Sequence, residues 1–361
     1  MKIYNNPFIE IDRKKIGIDY PPYVIAEMSA NHNGSIKNAI KIIDEAKKNG
    51  ANAVKIQTYS PETITLNVKS DEFKIFGGKW DGQYLYDLYG EAHLPWEWHE
   101  ELFAYAKKNN ITIFSSPFDK TAIDLLEKLN APAYKIASFE AIDLPLIRYA
   151  AKTGKPLIIS SGMSNFKEIE ESIVAAKEAG CKELAILHCV SSYPSLPEDY
   201  NLRTISDLIK KFNLVVGLSD HTLENATAIS SVAMGASIIE KHFTLDKNAG
   251  GPDDSFSIEP LRMHDLTSDI NIAWKSLGKV NYDVLEVENQ NIKFRRSLYF
   301  IKNLESGSIL KNDDFKSVRP GYGLSPKYTD SIIGKKLIKK VKINTPVTEE
   351  CFENFKVSEI K

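Results

Sequence analysis

The sequence predicts an α/β fold: a (β/α)8 TIM barrel followed by a small, mostly β module. Three observations point there. Eight short β-branched runs alternate with amphipathic stretches of helical period, nearly every run ends on a polar or ionisable residue, and the texture changes after about residue 280. Such alternation implies parallel strands, and eight of them close a barrel. A doubly wound open sheet is the alternative, but the turn after the first run, NHNG, lacks GxGxxG spacing.

The first run is YVIAE (23–27). After it, Ser35 is placed to cap a helix, Ile36, Ile40 and Ile43 recur at helical spacing, and Gly50 is placed to end it. Then come ANAVKIQ (51–57), ITIFSS (111–116), PAYKIAS (132–138), PLIISSG (156–162), ELAILHC (183–189), VVGLSDH (215–221) and SIIEKHF (237–243). Helical stretches at 165–180, 223–236 and 260–277 fill the later gaps. The expected domains are a barrel over 1–279 with an N-terminal extension 1–20, a polar linker 280–297, and a lysine-rich β module 298–361.

Composition narrows the function classes. The chain has 361 residues, 43% hydrophobic and 26% charged, with a net charge of −2. That describes a soluble protein with a large core and no global field drawing it to nucleic acid or an anionic membrane. No apolar run is long enough to span a bilayer, and the N-terminus MKIYNNPFIEIDRKK lacks the apolar stretch of a signal peptide. Three scattered cysteines, Cys181, Cys189 and Cys351, suit reduced thiols in a cytoplasm.

In a barrel the carboxyl ends of the strands build the active site. Here those ends carry Glu27, Lys55, Gln57, Ser115, Ser116, Lys135, Ser138, Ser160, Ser161, His188, His221, Lys241 and His242. A lone strand-end histidine more often satisfies a core hydrogen bond; the pair His221 and His242, flanked by Asp220 and Glu240, favours an open divalent-metal site. Lys55 and Lys135, with hydroxyls at Ser116, Ser138 and Ser160, make a cradle for phosphate or carboxylate. The alternatives for these lysines are salt bridges to Glu27 or Glu140, or a Schiff-base role for Lys135. Between the second and third runs, the segment 58–110 carries Trp80, Tyr84, Tyr86, Tyr89, Trp96 and Trp98. Such aromatics pack a loop against its barrel or close its mouth. Asp87, His93, His188 and Ser191 receive no role.

IAEMSANHNG, AVKIQTY, FSSPFD, AYKIASFE, LIISSGM, GLSDHT and EKHFT resemble the sialic acid synthase family, whose members condense phosphoenolpyruvate with an amino-sugar aldehyde. The resemblance covers essentially the whole chain, and SVRPGYGLSP is similar to the antifreeze-like (SAF) domain of that family. Within it, EMSANHNG, KIASFE and WDGQYLYDLYGEAHLPWEWH resemble the pseudaminate-forming branch; the neuraminate branch tends toward KIGSGE, from which Ala137 and Phe139 differ.

The resemblance implies a (β/α)8–SAF transferase acting on 2,4-diacetamido-2,4,6-trideoxy-L-altrose, with neuraminate or legionaminate synthesis as alternatives. It implies Mn2+ or Mg2+ on His221 and His242, and phosphoenolpyruvate held by Lys55, Ser116, Lys135, Ser138 and Ser160. Ser116 replaces a threonine common in relatives. Glu27 and Glu140, with the lysines, are the implied catalytic groups, and Gln57, Phe118, Tyr193, Asp253 and Arg319 the implied sugar contacts. Arg319 would come from the SAF domain of the other subunit of a domain-swapped homodimer. A non-catalytic carbohydrate-binding protein is the competing reading from another class.

Overall fold

The computed structural model describes residues 6–359; residues 1–5 of the expected extension and 360–361 of the expected module lie outside the described residues. It divides into two compact units, Met1–Gly278 and Lys279–Lys361.

The first unit opens with an element the sequence reading did not anticipate. Strands β1 (Phe8–Ile11) and β2 (Lys14–Gly17) pair antiparallel. Their turn places Asp12 and Arg13 at φ of 48° and 65°, a cost accepted at just two residues. Ile9, Ile11 and Ile16 are fully buried and pack with Ile25, Phe114, Leu187 and Ile238. The hairpin thus stoppers the amino-terminal end of a barrel.

That barrel is closed and wholly parallel: β3 (Tyr23–Glu27), β4 (Ala53–Thr58), β5 (Thr112–Pro117), β6 (Tyr134–Ile136), β7 (Leu157–Ser160), β8 (Leu184–Cys189), β9 (Val215–Asp220) and β10 (Ile238–His242), with β10 returning to β3. Side chains alternate along each strand. On β10, Ile238 packs in the barrel interior, Ile239 packs among the helices, and Glu240 turns inward again. The interior is therefore apolar near the amino-terminal end and polar near the carboxyl end. Alternation also corrects the list of strand ends. Ser115, His188 and Lys241 face outward: Ser115 bonds Thr58, His188 meets the Tyr200 carbonyl, and Lys241 pairs with Asp220 at 2.7 Å.

The connecting helices follow local signals. Ser35 caps helix Ile36–Lys48 by accepting from the Asn38 N–H, and Gly50 ends it at φ 89°. Asn165 and Glu168 form a capping box on Phe166–Glu178. Pro260–Leu277 spans the expected 260–277. The stretch expected as helix over 223–236 is shorter, Ala226–Ala233. Lys241 donates to the Thr222 and Glu224 carbonyls at 2.6 and 3.1 Å, which ties that turn down outside the helix. The long 58–110 connection holds three α-helices, Pro61–Ile64, Leu85–Ala92 and His99–Lys108, and two short 3-10 turns, Asp71–Phe73 and Trp96–Trp98. No helix among the described residues is long and apolar enough to cross a membrane.

The second unit has its own core, including Leu298, Phe300, Phe315, Leu337, Val347 and Phe352. Its β11 (Ser297–Phe300) and β12 (Phe315–Val318) pair antiparallel, so the first strand starts one residue inside the expected linker.

Gly217 on β9 has no room for a side chain. A Cβ there would lie 2.5 Å from the Ile238 carbonyl oxygen and 2.6 Å from Leu187 Cδ2. Gly217→Ala is expected to destabilise the protein by about 2 kcal/mol through overpacking, read from the urea midpoint of unfolding; an unchanged midpoint would show that the barrel interior yields at this point.

Candidate active site

The polar end of the barrel is built around two ammonium groups. Lys55 and Lys135, on β4 and β6, are 3% and 2% exposed. A bare ammonium at that depth is costly, so carboxylates must accompany it. Lys55 Nζ lies 2.7 Å from Glu27 Oε2 and 3.5 Å from Glu240 Oε1, and donates to Ser116 Oγ at 3.1 Å. Lys135 Nζ lies 3.4 Å from that same Glu240 oxygen. Of the salt bridges considered from the sequence, Glu27 with Lys55 is present. Glu240 is the carboxylate shared between both lysines, a role the sequence reading did not give it. Period two along SIIEKHF was the available signal: with His242 facing in, Glu240 must face in as well.

The four groups do not share charge evenly. Burial pushes the Glu27 carboxyl up, against the attraction of Lys55, and the charge of Glu240 adds to the rise. Burial works the same way on Glu240, but Lys135, Lys55 and His221 outweigh it and hold it below the usual range. Burial lowers Lys135; for Lys55 the two carboxylates overcome burial and hold it high. The cluster thus favours the charged forms of Glu240 and Lys55 and shifts Glu27 up and Lys135 down. Environments that push neighbouring pKa values apart suit groups that exchange protons.

Around this cluster stand the hydroxyls. Ser160 Oγ is buried without a partner, and Ser138 Oγ meets Cys189 Sγ at 3.4 Å. Gly162 brings its backbone against two of them: a Cβ would sit 2.3 Å from Ser191 Oγ and 2.6 Å from Ser138 Oγ.

His221 and His242 complete the rim. Their ring centroids are 5.5 Å apart at 62°. Two imidazoles sharing one ion at about 2.1 Å per nitrogen stand roughly 5 Å apart, centre to centre. His221 Nδ1 donates to the Val190 carbonyl at 2.7 Å, so ligation falls to Nε2. Burial lowers this ring's pKa, but Cys189 and the Val190 carbonyl outweigh it and raise it, so an ion there would displace a proton from Nε2. His242 Nδ1 is buried and unpartnered. Burial, then the charge of His221 and nearby lysines, pushes His242 well below its usual value, so it is neutral, the form that ligates. The pair fits a divalent cation. No group of three or more His, Cys, Asp or Glu side chains able to hold a metal occurs among the described residues.

His242 also lines a cavity of about 770 Å3, whose wall does not include Lys55, Lys135, Glu240, His221, Ser116, Ser138 or Ser160. Gln57, Phe118, Glu140, Tyr193, His242 and Asp253 line it, which brings most of the expected sugar contacts together. Gln57 donates to Glu27 Oε1 and to Ser29 Oγ, both at 2.9 Å, and Ser29 in turn donates to Asp253. Tyr193 packs 4.3 Å from the His221 ring and 6.0 Å from His242. Glu140 Oε2 is buried with no partner, and burial raises its carboxyl from 4.5 to about 7. Arg319 is exposed and belongs to the second unit. Asp87 pairs with Lys69, and His93 Nδ1 bonds the Gly90 carbonyl at 2.8 Å.

Fold and site together have the form of a barrel enzyme, with ionisable groups gathered at the carboxyl mouth beside a substrate-sized cavity. Residues 42–282 match the NeuB family and residues 295–353 the SAF domain. The chain belongs to the NeuB family. It is 42% identical over 337 residues to a pseudaminic acid synthase of Helicobacter pylori, covering 92% of this chain and 98% of that one. A Campylobacter jejuni N,N'-diacetyllegionaminic acid synthase is 35% identical, over 90% of this chain and 98% of its own. Among solved structures, the N-acetylneuraminic acid synthetase of Leptospira borgpetersenii superposes with a TM-score of 0.71 at 31% identity, covering 80% of this chain and 95% of that one.

Glu140 gives a stability test. Its folded pKa of about 7 lies above the unfolded one, so its stabilisation is fully present below about pH 4.5 and is lost as pH rises through 7. Glu140→Gln cannot ionise. Its melting temperature relative to the unaltered protein is therefore expected to be higher at pH 8 than at pH 5 by calorimetry; an offset independent of pH would place this carboxyl in solvent.

Proposed function

We propose that the chain is a phosphoenolpyruvate-dependent nonulosonate synthase of the pseudaminic type. It joins phosphoenolpyruvate to 2,4-diacetamido-2,4,6-trideoxy-L-altrose and releases phosphate. The observation that carries this reading is the buried Lys55–Glu240–Lys135 bridge, with the His221/His242 pair at the same end of the barrel and His242 lining the adjoining cavity. Support for the sugar comes from the 42% identity to the Helicobacter pseudaminic acid synthase, against 35% to the legionaminic enzyme.

In this reading Lys55 and Lys135 meet the carboxylate and phosphate of phosphoenolpyruvate, and Ser116, Ser138 and Ser160 donate to their oxygens. When bound, a divalent cation such as Mn2+ or Mg2+, held by His221 and His242, supplies Lewis-acid polarisation of the sugar aldehyde. C3 of phosphoenolpyruvate attacks the aldehyde carbon, and Glu140, able to hold a proton near pH 7, delivers it to the aldehyde oxygen. Positive character develops at C2 and is steadied by Glu27 and Glu240. Water adds at C2 and its proton passes to Glu27. The C2–O bond to phosphate then breaks as Lys135 gives its proton to the departing phosphate, and the C2 hydroxyl proton passes to the Lys135 amine, which leaves the 2-keto acid. Gln57, Phe118, Tyr193 and Asp253 hold the sugar.

A Schiff-base lysine also needs a lowered pKa, which Lys135 has. Borohydride trapping at Lys135, with activity surviving EDTA, would select that chemistry instead. The reading also includes a cytoplasmic homodimer in which Arg319 of each SAF domain completes the other subunit's site. A monomeric mass in solution, or full activity in Arg319→Ala, would remove that part.

Incubation with phosphoenolpyruvate, Mn2+ and each candidate sugar is expected to release phosphate fastest with the trideoxy diacetamido sugar and to yield a product of the matching mass. Absence of phosphate release with every sugar overturns the reading. Glu27→Gln is expected to lower kcat at least 100-fold, in the range typical of general acid–base groups, while phosphoenolpyruvate binding measured by calorimetry stays within about threefold. Near-normal turnover would reject its role.

A further inference from the structure

We propose that the hairpin Lys74–Tyr84 is the element that selects the sugar, and that Trp80 makes the selection. It favours an amino sugar with a deoxygenated terminal carbon and acetamido methyls over one with a polyhydroxylated tail. This inference rests on the function proposed above and specifies how that site chooses among sugars.

The hairpin lies within the β4–β5 connection and is closed by backbone bonds from Ile75 N to Gln83 O at 2.8 Å and from Gly82 N to Ile75 O at 2.9 Å. Gly77, Gly78 and Gly82 sit at φ of 78°, 71° and 83°, with nothing within 4 Å of a Cβ position. Their glycine character therefore serves the sharp bend rather than packing. The tip reaches over to the loop after β10: Lys79 Nζ donates to the Gly251 carbonyl at 3.1 Å, and Trp80 Nε1 to the Pro252 carbonyl at 3.3 Å. Pro252 precedes Asp253, which accepts from Ser29 at the cavity wall. The hairpin is thus fastened to the segment that carries one of the polar groups of the site.

Trp80 itself lines the cavity, its ring centroid 6.3 Å from both Tyr193 and Phe256, the rings that flank His221 and His242. Ile64, Ile75 and Leu85 also line the cavity. None of these three offers a hydrogen-bonding side-chain atom, and the single indole N–H is already committed to Pro252. Gln57, Glu140, Asp253 and His242 in the same lining are polar, and Lys79 Nζ, beside Trp80, is committed to the Gly251 carbonyl. The cavity therefore offers both polar groups and an apolar stretch. A sugar that directs its aldehyde and amides to the polar groups can lay its far end against indole. A methyl there gains contact, whereas a hydroxyl there loses water and finds no partner in the indole or in Ile64, Ile75 and Leu85. A pocket of this kind discriminates by roughly 10- to 100-fold.

The test compares kcat/KM for phosphate release with 2,4-diacetamido-2,4,6-trideoxy-L-altrose and with N-acetylmannosamine, in the unaltered enzyme and in Trp80→Ala, Trp80→Gln and Trp80→Phe. The preference for the trideoxy sugar is expected to fall at least tenfold in Trp80→Ala, chiefly through a higher KM for that sugar. It should fall likewise in Trp80→Gln, which carries the same test should the alanine variant not fold, and be largely kept in Trp80→Phe. Phosphoenolpyruvate binding by calorimetry should not change. An unchanged preference in both Trp80→Ala and Trp80→Gln, or equal losses for both sugars, overturns the inference while leaving the proposed function standing. An unaltered enzyme that releases no phosphate with either sugar overturns both.

Discussion

The carboxylate of Glu240 is the pivot of the barrel's polar end. Two lysines enter the barrel from β4 and β6, each almost fully cut off from water, and neither could stay there as a cation alone. Glu240, from β10, places one oxygen 3.5 Å from the first and 3.4 Å from the second, and Ser219 donates to that oxygen at 3.3 Å. Removing one partner from such a buried network typically costs about 3–5 kcal/mol. The geometry that holds these charges requires β10 to close on β3, so the polar centre and the closure of the barrel depend on one another.

This arrangement also explains how one site can hold groups of opposite proton affinity. Glu240 and Lys55 stabilise each other's charge, which leaves Glu27 and Lys135 the less favourable places for theirs. A ligand bearing carboxylate and phosphate would offer the two lysines new partners at the same spot. The apolar layer beneath, with Ile25, Phe114 and Ile238, and the β1–β2 hairpin below it exclude water from the far end, which keeps the local dielectric low.

Much of this was legible in the chain. Eight β-branched runs, each followed by helical periodicity, gave the barrel, because every strand buried on both faces needs a helix to cover it. The strand-end glutamates, lysines and histidines were visible as ionisable groups where a buried run should have ended on apolar ones. Less visible was the N-terminal hairpin, whose four-residue strands are too short to show a clear period. The shared role of Glu240 was hidden too, since its neighbours Lys241 and His242 are as striking on paper and only the inward or outward direction separates them. His188 shows the reverse case: it ends a strand, faces out, and meets the Tyr200 carbonyl.

By itself, then, the sequence determined the order of elements, their parallel closure and the kinds of charge delivered to one end, because local patterning and alternation are properties of consecutive residues. Only the tertiary structure decided which carboxylate meets which lysine, that the two imidazoles stand 5.5 Å apart, and that the hairpin around Trp80 bends back to fasten on Pro252. Those contacts join residues from distant parts of the chain. Their distances depend on strand register and loop path, which no run of neighbouring residues encodes on its own.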